Sequence, residues 1–163
     1  MSTYFKEDFK GGDVSRFDDS LNAAVNEAAA YSGTYGLHLT RADDDDPPLA
    51  YVVKFLDDNQ KKYQYKFRVR FNQLNGLESV LFFDGDSIYA QFDAGDVLLI
   101  NGETTGWAPA LGTWYYVKFE LIVDSLNGRI KFWVDDVVYF ERAGLELSPS
   151  GICLLVASVG GIL

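Results

Sequence analysis

KKYQYKFRVRF (residues 61–71) alternates between a large apolar side chain and a polar or cationic one. A repeat of two is the side-chain period of a β-strand and not of a helix. Tyr63, Tyr65, Phe67, Val69 and Phe71 then share one face, and Lys62, Gln64, Lys66, Arg68 and Arg70 share the other. A slip of one residue would invert every assignment. At about 3.3 Å per residue the stretch spans roughly 36 Å, long beside the usual five or six residues. The expectation is a broad, curved sheet with one side on a core and the other in water.

The same pattern extends outward along the chain. Strand-like segments recur at residues 4–9, 35–40, 49–56, 78–83, 87–92, 97–100, 114–123, 129–134, 137–141 and 152–158. Between them stand turn formers: SGTYG, DGD, DAGD, NGETTG, SLNG and DD. Short strands at this spacing without helical alternation predict an all-β fold, a two-sheet antiparallel sandwich or barrel. LNAAVNEAAAYS (residues 21–32) is the exception, its alanines favouring a helix. Its apolar stripe of Leu21, Val25 and Ala28 or Ala29 is thin, so a short helix and a strand plus loop both remain open. The chain of 163 residues is the size of one ordinary domain, and the expectation is a single domain over 1–163. There is no internal repeat, and the DDDDPP tip (residues 43–48) joins two strands.

Charge narrows the partners. The net charge is −10, which disfavours the phosphate backbone of nucleic acids and anionic membrane surfaces alike. No apolar run approaches the roughly 20 residues of a membrane span. Cys153 is the one cysteine, so no internal disulfide can form, and the apolar segment around it marks a small buried hydrophobe. With His38 the one histidine, a Cys/His zinc site cannot be assembled. The amino terminus lacks the basic start and apolar stretch of a secretory signal. Either synthesis in the cytoplasm, with incorporation into a virion as one destination, or an extracellular domain without its leader fits that reading.

Residues 111–141, LGTWYYVKFELIVDSLNGRIKFWVDDVVYFE, resemble the G-x-W-(Y/H)-x-V-x-(F/V) strand, loop, strand and VDG hairpin of concanavalin A-like lectin/glucanase and laminin-G-like domains. AAYSGTYGLHL (residues 29–39) is similar to a segment near the start of many such domains. The resemblance implies a two-sheet antiparallel jelly-roll β-sandwich, and it covers lectins, glycosidases, lyases, adhesion modules and virion proteins. Asp136 stands where Gly usually sits in that hairpin, and Asp tolerates the left-handed conformation better than most residues. Such domains commonly close with a further strand beside the first, whereas this sequence stops at SVGGIL. The expectation is a short final strand or one borrowed from a neighbour.

Catalysis is not expected. Glycoside hydrolysis needs two carboxylates about 5 to 9.5 Å apart across the scissile bond. Catalytic members of the resembled superfamily carry these as E-x-D-x-E on one strand, and no segment here matches. Glu7 and Asp8 alternate to opposite faces, and Glu120 and Asp124 are separated by Ile122. His38 would be the base of a Cys153 or serine nucleophile, but its alternation with Leu37 and Leu39 marks a sheet-surface residue. The lyase combination of Arg, Gln, His and Tyr finds no motif. Calcium is the more credible cofactor, since jelly rolls of this kind often hold one and Asp13, Asp18 and Asp19 supply oxygen ligands. The competing reading is that these acids cap turns.

Sugar binding in such folds stacks aromatic rings on pyranose faces. Alternation sends Tyr115, Val117, Phe119, Leu121 and Val123 to the core and leaves Trp114, Tyr116, Lys118 and Glu120 outside. It likewise buries Ile130, Phe132 and Val134 and turns Trp133 and Lys131 outward, with Tyr89 and Gln91 opposite Ile88, Ala90 and Phe92. Tyr116, Trp133, Tyr89, Gln91, Arg68 and Arg70 are expected on one concave carbohydrate-binding face, with Trp107 added from its Gly- and Pro-rich loop. Five of the 14 basic residues lie in 61–71, a positive stripe suited either to blunting a sheet edge or to an acidic polysaccharide or protein. The leading expectation is therefore a non-catalytic carbohydrate-binding or adhesion module. The rival is a structural protein, such as a virion decoration, fibre or filament subunit, assembling as a homo-oligomer through an exposed sheet face or edge. A glycoside hydrolase or polysaccharide lyase ranks third.

Overall fold

The computed structural model describes residues 9–39, 51–53, 61–74, 79–84, 88–147 and 158–159. The strands are β1 (Asp19–Leu21), β2 (Ala23–Asn26), β3 (Gly36–Leu39), β4 (Tyr51–Val53), β5 (Lys62–Arg70), β6 (Ser79–Asp84) and β7 (Ile88–Phe92). They continue with β8 (Leu98–Ile100), β9 (Glu103–Thr104), β10 (Trp114–Ile122), β11 (Gly128–Val134), β12 (Val137–Leu145) and β13 (Ser158–Val159). Every described pairing is antiparallel. One sheet runs β12-β11-β10-β5, a second runs β13-β6-β7-β8-β9, and β1-β4 and β2-β3 form two-stranded ribbons.

Alternation decides the core. On β5, Tyr65 is buried and Tyr63, Phe67 and Val69 are half-buried, while Lys62, Gln64, Lys66 and Arg68 are exposed. Val117, Phe119 and Leu121 of β10 and Ile130, Phe132 and Val134 of β11 form the inner face of the four-stranded sheet. They share one cluster with Ala90, Phe92, Leu98 and Ile100 of the five-stranded sheet. Phe119 and Phe132 sit 4.6 Å apart between ring centroids, and Phe71 meets Phe92 edge-on at 5.3 Å. The result is a β-sandwich whose two inner faces exclude water.

Turn chemistry fits the strands it joins. Asp135 and Asp136, between β11 and β12, adopt φ of 47° and 64°, the left-handed pair that a two-residue hairpin demands. Asp135 Oδ1 accepts the Tyr116 N–H at 2.9 Å, which compensates part of that backbone cost. Asn101 and Gly102, at φ of 51° and 80°, do the same between β8 and β9.

Residues 21–32 resolve as strand plus loop. β2 pairs with β3, a 3-10 turn follows at Glu27–Ala29, and the Asn26 side chain caps it by accepting the Ala29 N–H at 2.9 Å. Strand pairing has overridden the helix preference of the alanines.

Trp107 departs from its expected place. It is 3% exposed and lies in the core, not on a presenting loop. Leu98 N–H donates to the Trp107 carbonyl at 2.8 Å and Thr105 N–H to the Leu98 carbonyl at 3.0 Å, so the loop continues beside β8. That pairing turns the indole inward against Phe71, Phe92, Tyr115 and Phe132. All of the expected strand at 4–9 except Phe9, the tip at 43–48, Glu7, Asp8, Cys153 and most of the segment 152–158 lie outside the described residues.

Candidate functional site

The outer face of the four-stranded sheet is written in register. β5 and β10 pair Lys62 with Ile122, Gln64 with Glu120, Lys66 with Lys118, Arg68 with Tyr116 and Arg70 with Trp114. β10 and β11 pair Glu120 with Lys131 and Lys118 with Trp133. Directly opposed residues share a face, so these polar and aromatic side chains form consecutive rows.

One end of the face neutralises itself. Glu120 accepts from Lys62 Nζ at 2.9 Å, from Gln64 Nε2 at 2.8 Å and from Arg129 at 2.8 Å. Arg129 also lies 3.7 Å from Glu141, which meets Lys131 at 2.7 Å. The hydrogen bond from the Lys62 ammonium, with those from Gln64 and Arg129, holds the Glu120 carboxyl down at about 2 although desolvation opposes it. A carboxyl so stabilised as the anion has no proton to give near neutral pH.

The other end combines cations with rings. The Arg68 guanidinium lies 3.9 Å from the Tyr31 ring centroid and 5.3 Å from that of Tyr116. Arg70 lies 5.0 Å from the Trp114 centroid and donates to the Ala28 carbonyl at 3.0 Å. Tyr31 meets Trp114 edge-on at 5.4 Å. Lys118 Nζ stands 3.8 Å from the Trp133 centroid, with Lys131 Nζ 5.2 Å away. None of the ion pairs formed among the described residues involves Lys66, Lys118, Arg68 or Arg70.

Of the residues singled out from the sequence, Tyr116, Trp133, Arg68 and Arg70 are thus brought together. Tyr89 and Gln91 are not: both lie on β7 in the other sheet, alternating with the buried Ala90 and Phe92. Burial raises the Tyr89 hydroxyl above its ordinary value of 10.0. Tyr31, Trp114 and Lys118 belong to the face without having been counted as site residues. Trp114 and Lys118 were legible as outward-facing. Tyr31 was not, since its place beside Arg68 depends on the docking of a loop far away in the sequence.

Two of the acids expected to hold calcium, Asp13 and Asp19, accept backbone N–H groups of their own loops, as does Asp93 further along. Asp13 Oδ1 accepts the Ser15 N–H at 2.9 Å, and hydrogen bonds from Ser15 lower its pKa. Asp19 Oδ1 accepts the Ser20 N–H at 2.8 Å, and Asp93 Oδ1 accepts those of Gly95 and Val97. Among the described residues, Asp13, Asp18 and Asp19 are not gathered, and no group of three or more His, Cys, Asp or Glu is placed to hold a metal ion. His38 is exposed on β3, its Nδ1 3.2 Å from Asn26 Nδ2.

No family model matches the sequence, and no curated protein does. Among solved structures the fold is similar to that of cellulose-induced protein Cip1, over 93% of this chain and 85% of that one, at 12% identity and a TM-score of 0.60. At that identity the likeness speaks to architecture alone: the chain is an antiparallel β-sandwich of the jelly-roll kind.

Proposed function

We propose that this protein is a non-catalytic carbohydrate-binding or adhesion module of the concanavalin A-like type, with its ligand face on the outside of the β12-β11-β10-β5 sheet. The observation that carries this reading is the clustering of Tyr31, Trp114, Tyr116 and Trp133 with arginines and lysines on one sheet surface. Aromatic side chains supply broad, rigid contact area at low entropic cost, and Tyr31 is 50% exposed. The non-catalytic part is supported by the missing E-x-D-x-E segment and by the engagement of Glu120 with Lys62, Gln64 and Arg129. The likeness to a protein named for its induction by cellulose agrees with a carbohydrate-related role. A glycan array run with and without calcium, using the native chain and Trp133→Ala, tests the reading. Binding that weakens in the variant is expected; an empty array under both conditions contradicts it, as would glycan breakdown abolished by Glu120→Gln.

A second reading, assembly through a sheet edge, is favoured by β12. Among the described strands it ends the order of its sheet, and it exposes Val137, Val138 and Tyr139 at 58%, 45% and 38%. Unpaired edges with apolar side chains are templates for strand addition. Light scattering separates the two: ligand-free oligomers that dissociate on Val138→Lys would favour assembly.

A further inference from the structure

We infer that the ligand of this face is an anionic glycan, a polysaccharide bearing carboxylate or sulfate groups; the inference rests on the carbohydrate-binding reading above. Three observations carry it. First, the face is divided. Lys62, Arg129 and Lys131 are matched by Glu120 and Glu141, whereas Lys66, Lys118, Arg68 and Arg70 have no carboxylate partner among the described residues.

Second, Lys66 and Lys118 are directly opposed across β5 and β10 on one face. Like charges in that relation repel, and an anion between them would relieve the repulsion. This concentration of positive charge stands on a protein of net charge −10, where no general excess of cations explains it.

Third, the rings are already dressed with cations. Tyr31 and Tyr116 face Arg68, Trp114 faces Arg70, and Trp133 faces Lys118. A neutral sugar would have to displace these charges to stack. An anionic sugar would use them where they stand, with Arg68 flanked by two rings and its planar fork suited to a carboxylate or sulfate. Rows two residues apart recur about 6.8 Å along each strand, which presents charge repeatedly to an extended chain.

The test uses two matched pairs of probes: polygalacturonate against its fully methyl-esterified form, and dextran sulfate against dextran. Affinity of the full chain is measured at low salt and at physiological salt. The expected result is binding to the charged member of at least one pair, roughly tenfold or more above its neutral counterpart and weakening with salt as exposed ion pairs are screened. Lys118→Ala and Arg68→Ala should each weaken it several-fold with the near-UV circular dichroism unchanged, and Arg142→Ala, on β12 and paired with Glu103, should not. Equal affinity for a neutral counterpart overturns the inference and leaves carbohydrate binding intact. Binding to none of the four overturns the inference, and the glycan array then decides whether carbohydrate binding stands. Polyglutamate bound as tightly as the charged glycans overturns it in favour of an acidic protein partner.

Discussion

Glu120 is the one carboxylate buried among the described residues, and its environment makes a signed statement about acid. Its pKa is about 2 when folded and 4.5 ordinarily, so folding favours the anion. The stability it contributes is fully present above about pH 4.5 and is lost as the pH falls toward 2. Allowing for screening through the exposed Lys62, the contribution is on the order of 2 kcal/mol. Glu120→Gln should therefore lower unfolding stability at pH 7 by about 1–3 kcal/mol, since Lys62 and Arg129 lose their anion. It should also flatten the stability profile between pH 4.5 and 2, and urea denaturation at a series of pH values checks both effects. Asp136 lies at φ 64°. Because a left-handed non-glycine residue costs roughly 1–2 kcal/mol, Asp136→Gly should raise stability by about 1 kcal/mol. At this scale the outward placement of Trp133 and Glu120 was legible from period two. The enclosure of Glu120 was not, because Lys62 and Gln64 reach it from β5 and Arg129 from β11.

The strands of the two principal sheets follow from alternation and turn residues, and β5 and β10 occupy almost the full stretches that the sequence marks. What escaped was the assignment of strands to sheets. Period two says that Tyr89 points away from Phe92, but not that β7 belongs with β8 and not with β10. Trp107 escaped for a related reason: Gly and Pro neighbours suggest a loop, yet backbone bonds to Leu98 lay that loop along β8. The β2-β3 ribbon depends on close approach. A Cβ on Gly36 would overlap the Ala29 carbonyl, so the 3-10 turn would have to lift from β3. Gly36→Ala should cost about 1–3 kcal/mol. Because Ala28 and Tyr31 follow that turn to Arg70 and Arg68, it should also quicken amide hydrogen exchange over residues 27–36.

For the whole molecule, the fold confines function to what the sandwich leaves uncovered. The inner faces are spent on Phe92, Phe119, Phe132 and their neighbours, and the outer face of the four-stranded sheet holds the cations left without a carboxylate among the described residues, with their rings. Its charge stands against the net −10 of the chain, so the proposed anionic glycan would be drawn to one sheet and repelled by acidic surface elsewhere. The most direct measurement is backbone amide NMR during titration with an oligogalacturonate. The account predicts shift changes concentrated at residues 66–70, 114–118 and 131–133, together with Tyr31, while the amides of Leu98, Leu99 and Ile100 stay still. Changes confined to β7 and β8, or none at the β5 and β10 amides, would contradict it.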